Sequence, residues 1–395
     1  MQHATYAPPA SLDTLRQRSL LVGVAGIVVA GAGAVISPGQ FFHSYLLAFL
    51  FWLAASLGGL ALTMLHHMSG GGWGVVIRRI LESAARTLPW MAVFFVPIVF
   101  GMRELYPWAD AQKAAADHIL AQKAAYLNTP FFLARAALYF AIWIGLSFFL
   151  TRWSADQDRT GDPALANRMT RMSAGGLVLY VLSMTFASID WAMSLEPHWF
   201  STMYGFLFVI GQALMGLAVA IVMADRLSQE APMADVYHKG HFHDFGKLLF
   251  AFTMVWAYLA FSQFLIIWSA DLPEEIPWYQ HRIAHGWQYI GLGLVVFHFA
   301  VPFLVLLSSR TKKNSTVLAR VALWLILMRL VDLFYLVGPE AYPDRLRVHW
   351  IDLAAAIGLG GIWVSLFLTN LRNSGSLLPV RDEGCARALE APAGH

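Results

Sequence analysis

Long apolar runs alternate with short polar or Gly/Pro-containing connections along the chain. Each run has roughly 20 predominantly apolar residues, which is the length that a helix needs to cross the hydrocarbon core of a bilayer. The pattern predicts an all-α integral membrane protein with ten spans, at residues 19–36, 44–65, 88–106, 131–151, 173–193, 202–224, 247–269, 285–308, 317–338 and 348–370. The connections are too short for a further domain, so we expect one membrane domain over 1–395, with a short surface helix over 110–125.

The first run is short and carries the small residues Ala30, Ala32 and Ala34, as the apolar region of a cleaved signal peptide does. We expect an anchor helix instead, because the chain retains Met1.

Lys and Arg residues are concentrated in the segments that share a side of the membrane with the two termini. The opposite side has fewer, namely Arg103, Lys113, Lys123, Arg135, Arg282, Arg345 and Arg347. Because cytoplasmic loops carry the excess of positive charge, this bias predicts that both termini, including a polar C-terminal tail over 371–395, are cytoplasmic.

The second and sixth runs share a pattern. Phe49-Leu50-Phe51 and Gly59-Leu60-Ala61 match Phe206-Leu207-Phe208 and Gly216-Leu217-Ala218 at a constant offset of 157 residues. This repeat predicts two similar four-helix bundles, residues 44–193 and 202–338, with the first and last helices outside them as two peripheral helices. A chance match between apolar segments is the alternative.

The amino-acid composition excludes several classes of protein. Apolar residues make up 58% of the 395 residues and charged residues 13%, which favours lipid as the solvent and disfavours a soluble enzyme. The net charge of +3 gives no support for nucleic-acid binding. Because Cys385 is the single cysteine, the chain cannot hold an iron–sulfur cluster or attach haem covalently, and any redox centres must belong to partners.

Ionisable residues within spans are costly and are normally paired inside the bundle. Arg329 and Asp332 are three residues apart in the ninth span, so they share a helix face and can form a pair. They form either a structural pair or part of a proton route or quinone site. Asp190 has no base one turn away, so it either keeps its proton or binds a base on a neighbouring helix, and a carboxyl with that choice is a candidate proton relay.

Histidine residues raise the question of haem and metal sites. His285 and His298 are both predicted in the eighth span, but their rings point about 220° apart around a helix, so we reject a haem b site. His238, His241 and His243 with Asp244 are expected in a solvated loop, with a metal site as the weaker alternative.

Several further charged residues are predicted near span ends. Solvated helix ends are expected for Asp352, His349 and Glu196, and interface positions for Arg103, Glu104 and Arg135.

The segment Asp190-Trp191-Ala192-Met193-Ser194-Leu195-Glu196-Pro197-His198-Trp199 continues to Tyr204, and Leu272–Tyr279 and His298–Phe303 follow. With ten predicted spans, these motifs resemble the F subunit of alternative complex III, the bacterial quinol:cytochrome c oxidoreductase. That subunit belongs to the NrfD-like, polysulfide-reductase-type family of membrane subunits. The motif residues that carry the resemblance most specifically are Asp190, Trp191, Glu196, Pro197, His198 and Trp199.

The resemblance implies a place in the bacterial inner membrane and a set of partners: a second NrfD-like membrane subunit, an iron–sulfur subunit, c-type cytochrome subunits and small membrane anchors. It also implies a quinone or quinol ligand, menaquinone or ubiquinone, with haem c and iron–sulfur clusters in the partners. A proton path or quinone pocket is then expected at Asp190, Arg329, Asp332, His285, His298 and Asp352. The chain alone is expected to be non-catalytic.

Two other functions stay open. A stand-alone secondary transporter would have helices broken near mid-membrane, and Pro97 is the one mid-span candidate for such a break. A purely structural membrane anchor would need neither a ligand nor a proton path.

Overall fold

The computed structural model describes residues 6–342, 344–382, 385 and 389, and every regular element among them is a helix. Ten of the helices in this part of the chain are long and apolar enough to cross a membrane, which confirms the predicted multi-pass helical architecture. They are α1 (Ser11–Ile36), α2 (Pro38–Ser69), α3 (Gly72–Phe100), α4 (Thr129–Thr160), α5 (Pro163–Trp191), α6 (Tyr204–Leu227), α7 (Lys239–Ala270), α8 (Trp287–Leu307), α9 (Ser315–Ala341) and α10 (Trp350–Arg372).

Polar caps lengthen several helices beyond their apolar runs. The side chain of Asn128 accepts a hydrogen bond from the backbone N–H of Phe131 at 3.0 Å and begins α4. Asn314 begins α9 in the same way, through the N–H of Val317 at 3.0 Å. Because these N-caps lie among polar residues, the apolar pattern alone starts the two spans too late.

Helix α3 departs most from its predicted bounds of 88–106, because it begins at Gly72. Arg78 and Arg79, which the apolar pattern places in a connection, lie buried on its first segment. Glu82 on the same helix accepts hydrogen bonds from both guanidinium groups. Arg78 also pairs with Asp382 and Arg79 with Asp158, so these carboxylates together neutralise the two buried arginines.

Two corrections concern the predicted connections. The expected surface helix over 110–125 is two helices, Ala111–Ala116 and His118–Lys123, because the Asp117 side chain caps the second one. His241, His243 and Asp244 lie on the first turns of α7 rather than in a loop, since the N-cap of that helix is already His238.

The centre of the molecule is the crossing of α2 and α6. A Cβ atom at Gly58 would come within 2.0 Å of the carbonyl oxygen of Gln212, so the two backbones touch directly. Helix α2 also packs on α3, α5 and α10, and α6 packs on α5, α7 and α9, while α1 lies along α10. The matching repeat segments are therefore in mutual contact, and the division into bundles at 44–193 and 202–338 stays a prediction.

The C-terminal segment packs on the helices as far as residue 382. Leu377 and Leu378 are buried, and the N–H of Leu377 donates to the carbonyl oxygen of Tyr6 at 2.8 Å. Of the predicted polar tail over 371–395, residues 383–384, 386–388 and 390–395 lie outside the described residues.

Candidate functional site

A cavity of about 520 Å³ lies between α7, α8, α9 and the short helix Pro277–Arg282. We call it the aromatic cavity. Its volume is within the range of small-molecule sites. Its wall combines apolar residues with the polar side chains of Gln263, Tyr279, Arg282, Asp332 and Tyr335 and the ring of Trp256.

The aromatic cavity reaches the outer surface of the helix bundle. Its wall includes Phe261, Leu292 and Val295, whose exposed fractions are 60%, 62% and 59%. Phe261 lies on α7 and the other two lie on α8, within the apolar parts of both helices. A ligand dissolved in lipid can therefore enter between α7 and α8 without crossing a polar surface.

Arg282, the last residue of the short helix Pro277–Arg282, forms part of the cavity wall and is fully buried. Its guanidinium donates to the carbonyl oxygens of Trp278 (3.1 Å), Tyr335 (3.1 Å) and Leu336 (2.8 Å), and to Oε1 of Glu196 (2.7 Å). Its central carbon also lies 3.6 Å from the centroid of the Trp278 ring. Arg282, which the charge bias treats as a loop cation, instead holds the connection between α7 and α8 against α9.

The segments Asp190–Trp199 and Leu272–Tyr279 meet here. Glu196 binds Arg282, and Trp199 stacks on Trp278 with 4.6 Å between ring centroids and 13° between planes. Residues that follow α5 thus contact residues that follow α7. These contacts place Glu196 and Trp199, two of the six motif residues, behind the wall of the aromatic cavity.

The rest of the motif lies elsewhere. Trp191 is fully buried among aromatic rings that include Phe95 and Phe140. Nε2 of the exposed His198 lies 2.7 Å from Oδ2 of Asp117, and Nζ of Lys123 donates to the carbonyl oxygen of Pro197 at 2.5 Å. These contacts hold the connection 107–128 onto the motif.

Electrostatics at Glu196 favours its charged form. Burial opposes ionisation, but the charge of Arg282 and the contacts of His281 and Arg282 outweigh it, so the pKa of Glu196 lies below its ordinary value. In return, the Glu196 carboxylate, 3.9 Å from Nδ1 of His281, raises the pKa of His281 above its ordinary value. Glu196 is therefore a nearly buried carboxylate between two bases rather than a solvated helix end.

Arg329 and Asp332 form the pair that their spacing predicts. Asp332 lines the aromatic cavity and also accepts a hydrogen bond from Nε1 of Trp256 at 3.3 Å. Arg329 lies behind it, against α6, where a Cβ atom at Gly211 would come within 2.2 Å of Nη2. The carboxylate thus faces the cavity and its counter-ion faces the protein interior.

His298 lies on the far side of the Trp256 ring. The two rings stack with 4.0 Å between centroids and 13° between planes, and His298 is fully buried. Neither of its ring nitrogens has a hydrogen-bond partner. The residue lies in a π-helical segment of α8, Leu294–Ala300, a local irregularity that is frequent at functional sites.

His285 is not in a span, which corrects its predicted place. Helix α8 begins at Trp287, and His285 occupies the turn before it with φ of 54° and an exposed side chain. Its carbonyl oxygen accepts from the N–H of Leu346 at 2.8 Å. Its side chain is absent from the wall of the aromatic cavity.

Asp190 binds a base on a neighbouring helix, one of its two predicted alternatives. Arg135 on α4 donates to both carboxylate oxygens, at 2.8 and 2.9 Å, and Tyr139 Oη donates to Oδ2 at 2.8 Å. Arg135, expected at the membrane interface, is buried because this carboxylate neutralises it. Asp190 is not part of the aromatic cavity, and a proton-path role for it stays a prediction.

Asp352 is also buried, which corrects its expected solvation. It accepts hydrogen bonds from Ser44 Oγ at 2.5 Å and from the backbone N–H of His349 at 2.8 Å. With His349 it forms a capping box at the start of α10. The carboxylate therefore satisfies a helix end and ties it to α2.

Metal ligation has no support among the described residues, where no group of three or more His, Cys, Asp or Glu side chains is placed to hold an ion. The aromatic cavity offers hydrogen bonding through Tyr335, Tyr279 and Gln263, and proton exchange at Asp332, inside an apolar enclosure that opens to lipid.

No family model matches the sequence, and a search of curated proteins finds no match.

Proposed function

We propose that the chain is an integral membrane subunit of a bacterial respiratory quinol:cytochrome c oxidoreductase, and that the aromatic cavity binds the quinone or quinol head group. The observation that carries the proposal is the position of Asp332, a buried carboxylate on the wall of an aromatic cavity that is open to lipid. A quinol combines an aromatic head group, two hydroxyl groups and an apolar tail, and each part matches a feature of this cavity.

Quinol oxidation releases two electrons and two protons. Asp332 is positioned to accept a proton from a bound hydroxyl group, and Trp256 and Arg329 hold its carboxylate in place. The electrons leave through haem c and iron–sulfur clusters of partner subunits, since a chain with one cysteine cannot hold an iron–sulfur cluster or attach haem covalently. The purified single chain is therefore expected to transfer no electrons to cytochrome c.

The proposed membrane, orientation and partner subunits follow from the resemblance and from the bias of Lys and Arg residues. The chain lies in the inner membrane with both termini in the cytoplasm, beside a second NrfD-like subunit. In this orientation the aromatic cavity is in the outer half of the bilayer. Purification from native membranes in mild detergent tests the setting: haem c and an iron–sulfur protein should accompany the chain, whereas a solitary chain would favour a transporter.

Ligand binding is tested on the protein itself with a soluble short-tailed quinone. Quinones quench indole fluorescence, and Trp256 and Trp278 line the cavity. We expect saturable quenching, and about tenfold weaker binding in Asp332→Asn, because one hydrogen bond to a charged acceptor is lost. Glu274→Gln, an exposed carboxylate outside the cavity wall, is the matched control. Unsaturable quenching, or equal affinities in the two variants, would leave a purely structural anchor as the better description.

A further inference from the structure

A second cavity, of about 950 Å³, lies at the opposite end of α7 from the aromatic cavity. The α2–α3 turn, the α4–α5 turn, the start of α7 and the segment at Arg381 surround it. We call it the histidine cavity, because His66, His67, His238 and His241 all contribute to its wall. About 22 residues of α7 separate His241 from Gln263, so the two cavities are roughly 30 Å apart.

Two imidazoles at the start of α7 have ring nitrogens without hydrogen-bond partners. Nδ1 of His238 accepts from the N–H of Gly240 at 3.2 Å, so a neutral ring carries its proton on Nε2. That Nε2 is buried and has no partner. His241, 4% exposed, stacks on His238 at 3.7 Å, and its Nδ1 has no partner either.

The start of α3 contributes backbone donors to the same cavity. Its N-cap is Gly71, with φ of 93°, and no side chain caps the helix. The first N–H groups of this 14-residue helical segment therefore lack protein acceptors. His66, 6% exposed, packs over the first turn at Gly74, where a Cβ atom would come within 2.1 Å of its unpartnered Nδ1.

The acidic residues of the wall are already neutralised. Asp244 binds Lys247 at 3.0 Å, and Asp382 binds the buried Arg78 at 2.9 Å. At the edge of the cavity, Arg381 donates one hydrogen bond to the carbonyl oxygen of Arg159, and its guanidinium has further donors. The histidine cavity thus has more hydrogen-bond donors than free acceptors, and the guanidinium of Arg381 lies at its edge.

We propose that the histidine cavity binds a phosphate group. A tetrahedral anion accepts hydrogen bonds from donors of the kinds that line this cavity, namely backbone N–H groups of the α3 N-terminus, the imidazoles of α7 and the guanidinium of Arg381, and helix N-termini favour such anions. Two sources share this chemistry: the head group of an anionic phospholipid, and free inorganic phosphate. The proposal does not depend on quinone binding in the aromatic cavity.

The experiment compares both sources, using the protein as purified from native membranes. Inorganic phosphate is titrated in detergent at constant ionic strength while thermal unfolding is followed. In parallel, the protein is reconstituted in nanodiscs of phosphatidylcholine, with or without an equal part of phosphatidylglycerol, and retained lipid is counted by native mass spectrometry. Stabilisation by phosphate identifies a free anion, and retention of phosphatidylglycerol alone identifies a lipid head group.

Two variants remove the donors with little change of structure. His238→Asn keeps a good N-cap for α7 but lacks the Nε2 donor, and His241→Phe keeps the ring stack. Each should weaken phosphate binding or phosphatidylglycerol retention about tenfold. His243→Gln, on the same helix but outside the cavity wall, should leave binding unchanged. The proposal is overturned if neither probe binds, or if His243→Gln weakens binding as much as the other two variants.

Discussion

The guanidinium of Arg282 and the carboxylate of Glu196 form a nearly buried ion pair, with Nη2 2.7 Å from Oε1. The two residues are 86 positions apart in the sequence, and their contact joins the connection after α5 to the connection after α7. Both connections support the aromatic cavity, through Trp199 on one side and Trp278 on the other. The geometry of the proposed quinone site therefore depends on this pair.

His281 extends the pair and makes its stability depend on pH. The Glu196 carboxylate raises the pKa of His281, so protonated His281 stabilises the folded state. This contribution is complete below the ordinary pKa of 6.5 and disappears as the pH rises through the raised value. We expect His281→Gln to lower the melting temperature at about pH 6 and to leave it unchanged at about pH 9.

The measurement is thermal unfolding of the two proteins in one detergent at both pH values. His118→Gln is the control, because His118 is exposed and lies outside this cluster. A loss of stability in His281→Gln that is equal at both pH values would show that the side chain acts by packing rather than by charge.

How much of the site could be predicted depended on distance along the chain. Helical periodicity relates residues three or four positions apart, and for this reason the Arg329–Asp332 pair was predictable. Arg135 and Asp190 are 55 positions apart and on different helices, so no periodicity relates them. Arg135 was accordingly expected at the interface.

The same distinction applies to the fold: features that depend on neighbouring residues could be predicted, and features that depend on packing between helices could not. Ten spans follow from hydropathy alone, since each span depends on its own residues. The aromatic cavity depends on how α7, α8 and α9 diverge, and the π-helical segment around His298 depends on packing that the apolar pattern does not encode. The early start of α3 was missed because its buried arginines bind acidic residues as distant as Asp382.

Gly211 is predicted to be essential for the position of Arg329. A Cβ atom there would come within 2.2 Å of Nη2 and would push the guanidinium away from Asp332. We expect Gly211→Ala to lower the free energy of unfolding by about 1–3 kcal/mol and to weaken quinone binding, because Asp332 loses its counter-ion. Both quantities are measurable in detergent, by unfolding in SDS and by quenching of indole fluorescence.

Gly145→Ala provides the matched control, since an added Cβ on α4 meets no atom within 4 Å. It should leave quinone binding unchanged and should not lower the free energy of unfolding, which can rise by up to about 1 kcal/mol because alanine is the better helix former. Equal behaviour of the two variants would mean that Arg329 moves aside without consequence and that its pairing with Asp332 does not support the cavity.

Asp190 is predicted to act mainly through its pair with Arg135. Asp190→Asn leaves a buried guanidinium without a counter-ion, so the free energy of unfolding should fall by about 3–5 kcal/mol. Tyr139→Phe removes one hydrogen bond to the same carboxylate and should cost about 1 kcal/mol. If the assembled complex retains full turnover and proton release in Tyr139→Phe and in any folded Asp190→Asn, a relay through Asp190 is excluded.

A substitution of His298 can distinguish a role in proton transfer from no such role. Stability is expected to rise in either case, whereas turnover should fall only if the histidine transfers protons. Both ring nitrogens are buried without partners, which is costly for the folded state. His298→Phe keeps an aromatic ring against Trp256 and removes the unsatisfied groups, so stability should rise by about 1–2 kcal/mol. If His298 exchanges protons with the Arg329–Asp332 pair, quinol turnover by the assembled complex should fall at least about tenfold in the same variant. Unfolding in SDS and steady-state turnover measure the two effects, and unchanged turnover in a stabilised variant would show that the histidine takes no part in proton transfer.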